Sequence, residues 1–279
     1  MGSSTDTPTG YVAQTEWPTL QAMADGFSEH LMPASSKLEG KSIEHTYING
    51  WRIRHDFQAE SLTWAIVSGG EDAGKSGTEP YKAYEVRAGI FLIDFYKESY
   101  KELVSLLYDE STGQVKVCLS GFKDNDKAER RTYTVFLDAT HVHSSNDQKP
   151  LSAFPETTEL IGKQVLYRYT PRDAYHHLYL NSGTLTWHCV AGTEKDIADT
   201  EQARYWKLSD SLYILFWTET VMPVESIVVI DLKEMRSTGR FLCWDPKPQA
   251  VVHVRFGSQA TLLAEVDVEA ELRKPLRKS

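Results

Sequence analysis

Short stretches of alternating apolar and polar residues follow one another along most of the chain, with turn signals such as Asn49-Gly50 between them. A period of two is typical of strands that bury one face. In the first half we place strands near 41–48, 50–58, 61–68, 82–88, 90–97, 103–109, 114–120 and 130–140. In the second half we place them near 163–170, 175–181, 185–191, 203–208, 212–219, 225–231, 239–245 and 250–256.

The second half repeats the first at an offset of about 122 residues, which indicates a duplication. The segments 38–41, 62–69 and 79–97 recur, apolar residue on apolar residue, as 160–163, 185–192 and 201–219. Eight antiparallel strands avoid exposed edges best by closing into a barrel. We therefore predict an all-β fold of two tandem antiparallel barrels, with a tail and helix over 1–36, a first barrel over 37–145 and a second over 146–279.

One helix is predicted before the first barrel. Thr15 can cap it, Pro18 lies in its first turn, and Met32-Pro33 ends it near Leu31. Its apolar residues share one face, so we expect it to pack on the first barrel or plug its end. The stretch 259–272 is compatible with strand or helix.

The net charge and the cysteine content limit the classes of binding partner and the cellular compartment that we expect. The net charge is −9 and no basic stripe is present, which argues against nucleic acid and anionic membranes. The cysteines, Cys118, Cys189 and Cys243, are odd in number and widely spaced, as expected of reduced thiols in the cytoplasm. We see no signal peptide and no apolar run long enough to span a membrane. The sequence leaves the oligomeric state open, a homodimer included.

A set of motifs in the second half resembles the molybdenum cofactor biosynthesis protein F (MoaF) family. The motifs are Leu160-x-Gly-Lys163, Tyr175-His-His-Leu-Tyr-Leu-Asn181, Leu-Thr-Trp187, Ala198-Asp-Thr200, Tyr205-x-Lys-Leu208, the run 212–219 and Val-Val-Ile-Asp231. The first half resembles the N-terminal domain of the same family more weakly. The resemblance implies a calycin or lipocalin-like fold but no demonstrated step in cofactor synthesis. Related small barrels include cofactor-free phenolic acid decarboxylases, an analogy of fold that does not fix function.

Two motifs suggest cofactors that we do not expect. Residues 69–76, Gly-Gly-Glu-Asp-Ala-Gly-Lys-Ser, match a phosphate-binding loop, but Gly77 and Pro80 exclude the helix that such a loop requires. His141 and His143 share a face, yet no third ligand lies nearby in sequence. We therefore predict neither a metal nor another cofactor.

In the first barrel, Asp94 follows an apolar run on the face of Ile90 and Leu92. A carboxylate there must be paired, be protonated or face a wet cavity. It is a candidate acid or base, or it pairs with Arg52, Arg54 or Arg87, or it lies at the barrel rim. Arg52 would bind an anionic substrate if it points inward and would be solvated if it points outward. Tyr84 is a further candidate substrate-binding residue.

In the second barrel, Tyr175, His177 and Tyr179 share one strand face, and the sequence leaves open whether that face is the inner one. If it is, His177 is a candidate general base; otherwise it belongs to a structural polar network. Glu219 follows Trp217 on the same face, as a candidate acid in an aromatic pocket or as a rim residue. The candidate substrate-binding residues here are Tyr179, Trp187, Tyr205 and Trp217.

Three functions fit these features. The leading hypothesis is a cofactor-independent isomerase, cyclase or lyase that acts on a small hydrophobic or aromatic, for example phenolic, metabolite inside one barrel. The second is a non-catalytic carrier or sensor of such a metabolite. The third is an interaction module with solidly packed barrels. Cavity volume separates the third from the others, and an inward acid–base pair favours the enzyme.

Overall fold

The computed structural model describes residues 16–124, 130–141, 153–219 and 222–276. It contains two closed barrels, each of eight antiparallel strands that pair in chain order. The first barrel consists of β1 (Ser42–Tyr47), β2 (Arg52–Phe57), β3 (Ser61–Ser68), β4 (Ser76–Arg87), β5 (Ile90–Lys97), β6 (Glu102–Asp109), β7 (Gln114–Asp124) and β8 (Arg130–His141). The second consists of β9 (Lys163–Arg168), β10 (Ala174–Asn181), β11 (Thr184–Ala191), β12 (Ala198–Ser209), β13 (Leu212–Thr218), β14 (Val224–Asp231), β15 (Arg236–Asp245) and β16 (Ala250–Glu265).

The predicted all-β fold of two tandem barrels is confirmed, and every predicted strand is present. β1 pairs with β8, and β9 with β16, which closes each barrel. The phosphate-loop-like segment joins β3 to β4, so a strand follows it and not a helix. The stretch 259–272 contains both elements, the end of β16 and the short helix α2 (Val268–Leu272).

The repeat also reproduces individual turns. Oδ1 of Asp109 accepts the backbone N–H of Ser111 at 2.8 Å after β6. Oδ1 of Asp231, the equivalent residue, accepts the backbone N–H of Lys233 at 3.0 Å after β14. An aspartate that accepts a hydrogen bond from a backbone N–H two residues later stabilises a tight turn. The duplicated aspartates therefore stabilise equivalent turns in the two barrels.

The N-terminal segment differs from its prediction in extent and in partner. The helix α1 covers only Leu20–Met23 and is capped by Thr19; Thr15 lies outside the described residues. Turns follow, and Gly26 has φ +84°, a conformation that ends a helix. The segment covers the second barrel, because Phe27 joins the interior cluster of that barrel, and only its end at Leu31 reaches the interface between the barrels. Neither α1 nor α2, the helices of the described ranges, could cross a membrane.

The two barrels pack against each other through an apolar interface. Side chains on the outer faces of β4–β7 meet those of β12–β14 in one buried cluster. Its members from the first barrel are Tyr84, Val86, Ile90, Leu92, Leu107 and Cys118, and from the second Trp206, Leu208, Leu212, Ile214, Ile227 and Val229, with Phe154 from the connection. Burial of such side chains stabilises the pair of barrels as one unit.

A buried charge network lies beside this interface. Arg240 of β15 is 1% exposed and forms an ion pair with Glu225 of β14, which is fully buried. Its guanidinium also donates to Ser105 and to Ser120 of the first barrel, each at 3.0 Å. Oδ1 of Asp94 lies 3.9 Å from Arg240 Nε. Arg240 therefore connects both barrels through groups that have no access to water.

We expect Arg240→Met to lower the free energy of unfolding by about 3–5 kcal/mol, because it leaves Glu225 buried without its counter-charge. Arg52 is the matched control, since its ion pair with Glu44 is on the outer surface. Arg52→Met should cost less than about 1 kcal/mol. Urea denaturation of the two variants measures the difference, and equal losses would contradict a structural role for the buried network.

Candidate functional site

Each barrel has a cavity at the same end of its fold. The second cavity is bounded by His177 of β10, Trp187 of β11, Glu194 in the β11–β12 turn and Glu219 after β13. In the first cavity the equivalent positions are occupied by His55, Trp64, Asp72 and Lys97. The strand registers support the correspondence, because His55 is opposite Trp64 as His177 is opposite Trp187. The duplication has therefore produced two pockets with related but different chemistry.

The cavity of the second barrel is small and mostly apolar. It has a volume of about 80 Å³, below the roughly 150 Å³ of a dry cavity that binds benzene. Its mouth is covered by the N-terminal segment through Leu20, Met23, Ala24 and Phe27. The remaining lining residues are Tyr169, Tyr175, Trp217, Met222, Val224, Phe241, Cys243 and Val254.

Two carboxyl groups face this cavity. Burial raises the pKa of Glu219 well above its usual value, the nearby Glu194 and Glu201 raise it further, and Trp217 opposes the shift in part. Oε2 of Glu219 is buried and has no hydrogen-bond partner. Burial also raises the pKa of Glu194, although Tyr175 partly offsets this by donating its hydroxyl to Glu194 Oε2 at 2.7 Å. Glu219 is therefore the group in this cavity that is set up to carry a proton.

His177 contributes a neutral imidazole. Burial lowers its pKa to about 3, with a smaller effect from His176. Its ring lies 5.7 Å from that of Trp217 and 4.8 Å from that of Tyr167. Nδ1 of His177 is buried without a hydrogen-bond partner. A neutral imidazole of this kind can hydrogen-bond to a ligand without introducing a charge.

The other candidates of the second barrel lie in its interior, so the Tyr/His face of β10 is the inner one. Tyr179 and Tyr167 share a hydrogen bond of 2.7 Å between their hydroxyls, and Tyr205 donates to the carbonyl of Thr184 at 3.0 Å. These phenols lie deeper than the cavity and have partners, whereas Trp187 and Trp217 line it directly.

The three candidates of the first barrel lie outside its cavity. Arg52 points outward and pairs with Glu44, and Tyr84 belongs to the interface between the barrels. Asp94 faces the second barrel, where its Oδ2 lies 3.0 Å from Arg255 Nε and 2.8 Å from His253 Nε2. Burial alone would raise the pKa of Asp94, but His253, Arg255 and Arg240 hold it well below its usual value.

The cavity of the first barrel is larger, with a volume of about 300 Å³. Its walls are largely aromatic and aliphatic, and the polar groups are few. Lys97 lies in it, at the position of Glu219 in the other barrel. The lining residues are Tyr47, Asn49, Trp51, Ile53, His55, Trp64, Ile66, Asp72, Phe95, Lys97, Tyr100, Glu102, Val104, Leu119 and Leu137.

Sequence reasoning did not single out Glu194, His55 or Lys97. The repeat contained a usable signal, since each has a partner at the duplicated position of the other half. Within the part of the chain that the structure describes, no cluster of His, Cys, Asp or Glu could hold a metal; His143 lies outside that part. The three cysteines are buried and free.

Known proteins match both halves. Residues 15–124 match the MoaF N-terminal domain, and residues 154–266 match the MoaF C-terminal domain. Protein MoaF of Klebsiella aerogenes is 27% identical over 234 residues, which are 79% of this chain and 85% of that protein. A crystal structure from Burkholderia vietnamiensis, provisionally assigned as a beta-lactamase, is 18% identical with a TM-score of 0.31 and covers 40% of this chain and 96% of its own. A similarity of this size carries no argument about activity.

The neutral imidazole of His177 predicts a specific pH dependence. Its pKa of about 3 in the folded state lies below the usual histidine value of 6.5, so between these values the unfolded chain binds a proton that the folded chain does not. This contribution to stability is lost as the pH falls from 6.5 towards 3. We expect the melting temperature of His177→Gln to fall less steeply over this range than that of the wild type.

His188→Gln is the matched control, because His188 lies on the outer face of the neighbouring strand β11. It should follow the wild-type curve. Thermal melts from pH 7 to pH 4 measure all three proteins, and a wild-type slope in His177→Gln would contradict the buried neutral state.

Proposed function

This chain belongs to the MoaF family, and we propose that its second barrel is a cofactor-independent enzyme. Its substrate would be a small hydrophobic or phenolic metabolite, which the enzyme isomerises, cyclises or cleaves. The observation that carries the proposal is the pairing of a raised-pKa carboxyl, Glu219, with a neutral imidazole, His177, at one apolar cavity.

Glu219 is the proton-transfer group in this proposal. A carboxyl whose pKa is raised towards the working pH can donate a proton and take one back. In an isomerisation, the proton that Glu219 gives to one substrate atom is replaced by one removed from another, so no external reagent is consumed. In a cleavage, the donated proton stays on the product and Glu219 is reprotonated from water.

His177 and the aromatic walls position the substrate. Nδ1 of His177 has no partner, so a substrate hydroxyl or carbonyl can hydrogen-bond to it in whichever tautomer it adopts. Trp187 and Trp217 line the same cavity as His177, and apolar walls of this kind strengthen polar contacts made inside the cavity. The pKa of His177 is too low for it to act as an efficient proton carrier at neutral pH, so it orients rather than transfers.

The N-terminal segment would act as a cover over the site. At about 80 Å³ the cavity holds less than a benzene-sized ligand requires. A substrate with one ring therefore needs Leu20, Met23 and Phe27 to move outward. The backbone N–H of Leu20 donates to Asp245 Oδ2 at 2.7 Å, and this contact would anchor the closed position. The active protein would be cytoplasmic, as the cysteine pattern predicts.

A non-catalytic carrier or sensor is the second candidate function. It is favoured by the apolar lining and by the absence, among the residues described, of a hydrogen bond between His177 Nδ1 and any other group. A carrier needs the cavity but not the proton of Glu219. A substitution that removes the ionisable carboxyl of Glu219 but keeps its shape therefore separates the two functions.

We expect Glu219→Gln to lower turnover at least about 100-fold, because the amide retains the shape of the carboxyl but cannot transfer a proton. The substrate is sought by native mass spectrometry of gently purified protein and by a panel of phenols and enolisable aryl ketones in D₂O, with deuterium incorporation as the readout. Binding of the same compound should change only a few-fold.

Glu234→Gln is the control, since Glu234 is exposed in the turn before β15, and it should react like the wild type. Binding without any conversion by the wild type would favour the carrier. Equal turnover by Glu219→Gln and the wild type would remove Glu219 from the mechanism.

A further inference from the structure

The first barrel has a cation where the second has a carboxyl. Lys97 ends β5, and its place in the repeat corresponds to that of Glu219 after β13. His55 corresponds to His177, and burial, with a smaller effect from Lys97, lowers the pKa of His55 to about 3. The first cavity therefore combines a neutral imidazole with an ammonium group, and its ligand must differ in charge from that of the second.

The ammonium group of Lys97 lies over two aromatic rings. Its Nζ lies 4.0 Å from the ring centre of Trp64 and 4.1 Å from that of Tyr100, which are cation–π contacts. Among the residues that the structure describes, no carboxylate lies within ion-pair distance of it. Burial lowers the pKa of Lys97, whereas Glu102, Asp72 and Glu79 oppose that shift.

Two of these carboxylates, Asp72 and Glu102, already have other partners. Asp72 forms an ion pair with Lys75 and accepts a hydrogen bond from the Tyr100 hydroxyl at 3.1 Å. Glu102 accepts one from the Tyr133 hydroxyl at 3.0 Å. Lys97 is therefore the cation at this cavity that remains open to an incoming anion.

Two further polar atoms of the cavity wall are unsatisfied. Nδ1 of His55 and Nε1 of Trp64 are both buried without a hydrogen-bond partner, and each residue is 2% exposed. Buried nitrogens of this kind are costly unless a ligand or water satisfies them. With Lys97 they give the cavity up to three polar contacts for the head of one ligand.

The rest of the cavity suits an aromatic ring. Its volume of about 300 Å³ is roughly twice that of the benzene-binding cavity noted above and falls at the lower end of ligand sites. Trp51 lies at the mouth and packs on Gly69 and Gly70, where an added Cβ would come within 2.7 and 2.4 Å of its ring. The phosphate-loop-like sequence therefore uses its glycines to accommodate an indole.

We propose that the first barrel is a second, separate ligand site, which binds a small aromatic carboxylate. The ring lies among Trp51, Trp64 and Phe95, and the carboxylate accepts hydrogen bonds from Lys97 and from the Trp64 indole N–H. The site does not depend on the chemistry of the second barrel, whose cavity is too small for the same ligand while the N-terminal segment covers it.

The test is calorimetric titration of the full chain with three probes: 2-naphthoate, neutral 2-naphthalenemethanol and acetate. We expect 2-naphthoate to bind at least about tenfold more tightly than the alcohol, and acetate to bind more weakly than either. Lys97→Met should remove the preference for the carboxylate while retaining affinity for the alcohol. Lys82→Met, a change on the outer face of β4, should bind like the wild type.

Leu119→Trp provides a second variant that fills the cavity and leaves Lys97 in place, and it should abolish binding of 2-naphthoate. Circular dichroism checks that each variant is folded, and a crystal structure of the naphthoate complex locates the ligand. The proposal is overturned if 2-naphthoate does not bind, if it binds no more tightly than the alcohol, if Lys97→Met binds it like the wild type, or if it lies in the second barrel. Because Glu219→Gln should bind 2-naphthoate like the wild type, failure here is distinct from failure of the proposed enzyme.

Discussion

Closure of each strand ring into a barrel is the constraint on which the remaining features depend. It removes the inner faces of eight strands from water, so that any ionisable group placed there must be neutral, paired or in contact with a ligand. Glu219 and His177 in one barrel and His55 and Lys97 in the other meet this condition in different ways. The chemistry of both cavities is therefore a consequence of desolvation. The pKa values of these four side chains are shifted because closure of the barrels buries them.

Duplication has let the two barrels diverge while the geometry of their mouths is kept. The same four positions hold a histidine, a tryptophan, a carboxyl and a residue at the end of a strand in each copy, and the last of these differs in charge, Lys97 against Glu219. A similar divergence occurs on the outer surface. Asp94 occupies the position of Phe216 and contacts Arg255 of the other barrel. The difference between Lys97 and Glu219 thus changes the chemistry of a pocket, whereas the difference between Asp94 and Phe216 creates a contact between the two barrels.

The fold could be predicted because period-two patterning and repetition are local properties of the chain. The inner face of β10 was not decided by its own sequence, since both faces carry aromatic and polar groups, and closure of the barrel decides it. The partners of Asp94 could not be predicted either, because Arg255 is 161 residues away in sequence and meets it only when the barrels pack. The barrel that the N-terminal segment covers could not be predicted either, since an amphipathic face does not specify the surface on which it packs.

The protonation state of the Glu219 carboxyl is the most direct measure of whether closure of the second barrel keeps water out of its cavity. Its side-chain carboxyl carbon can be followed by NMR in protein labelled with ¹³C-glutamate, and the spectrum of Glu219→Gln assigns the signal. We expect the chemical shift of a protonated carboxyl to persist well above the usual glutamate pKa, because closure of the barrel disfavours the charged form. A signal that titrates with an ordinary glutamate pKa would show that the cavity is open to water, and the proposed proton transfer would fail with it.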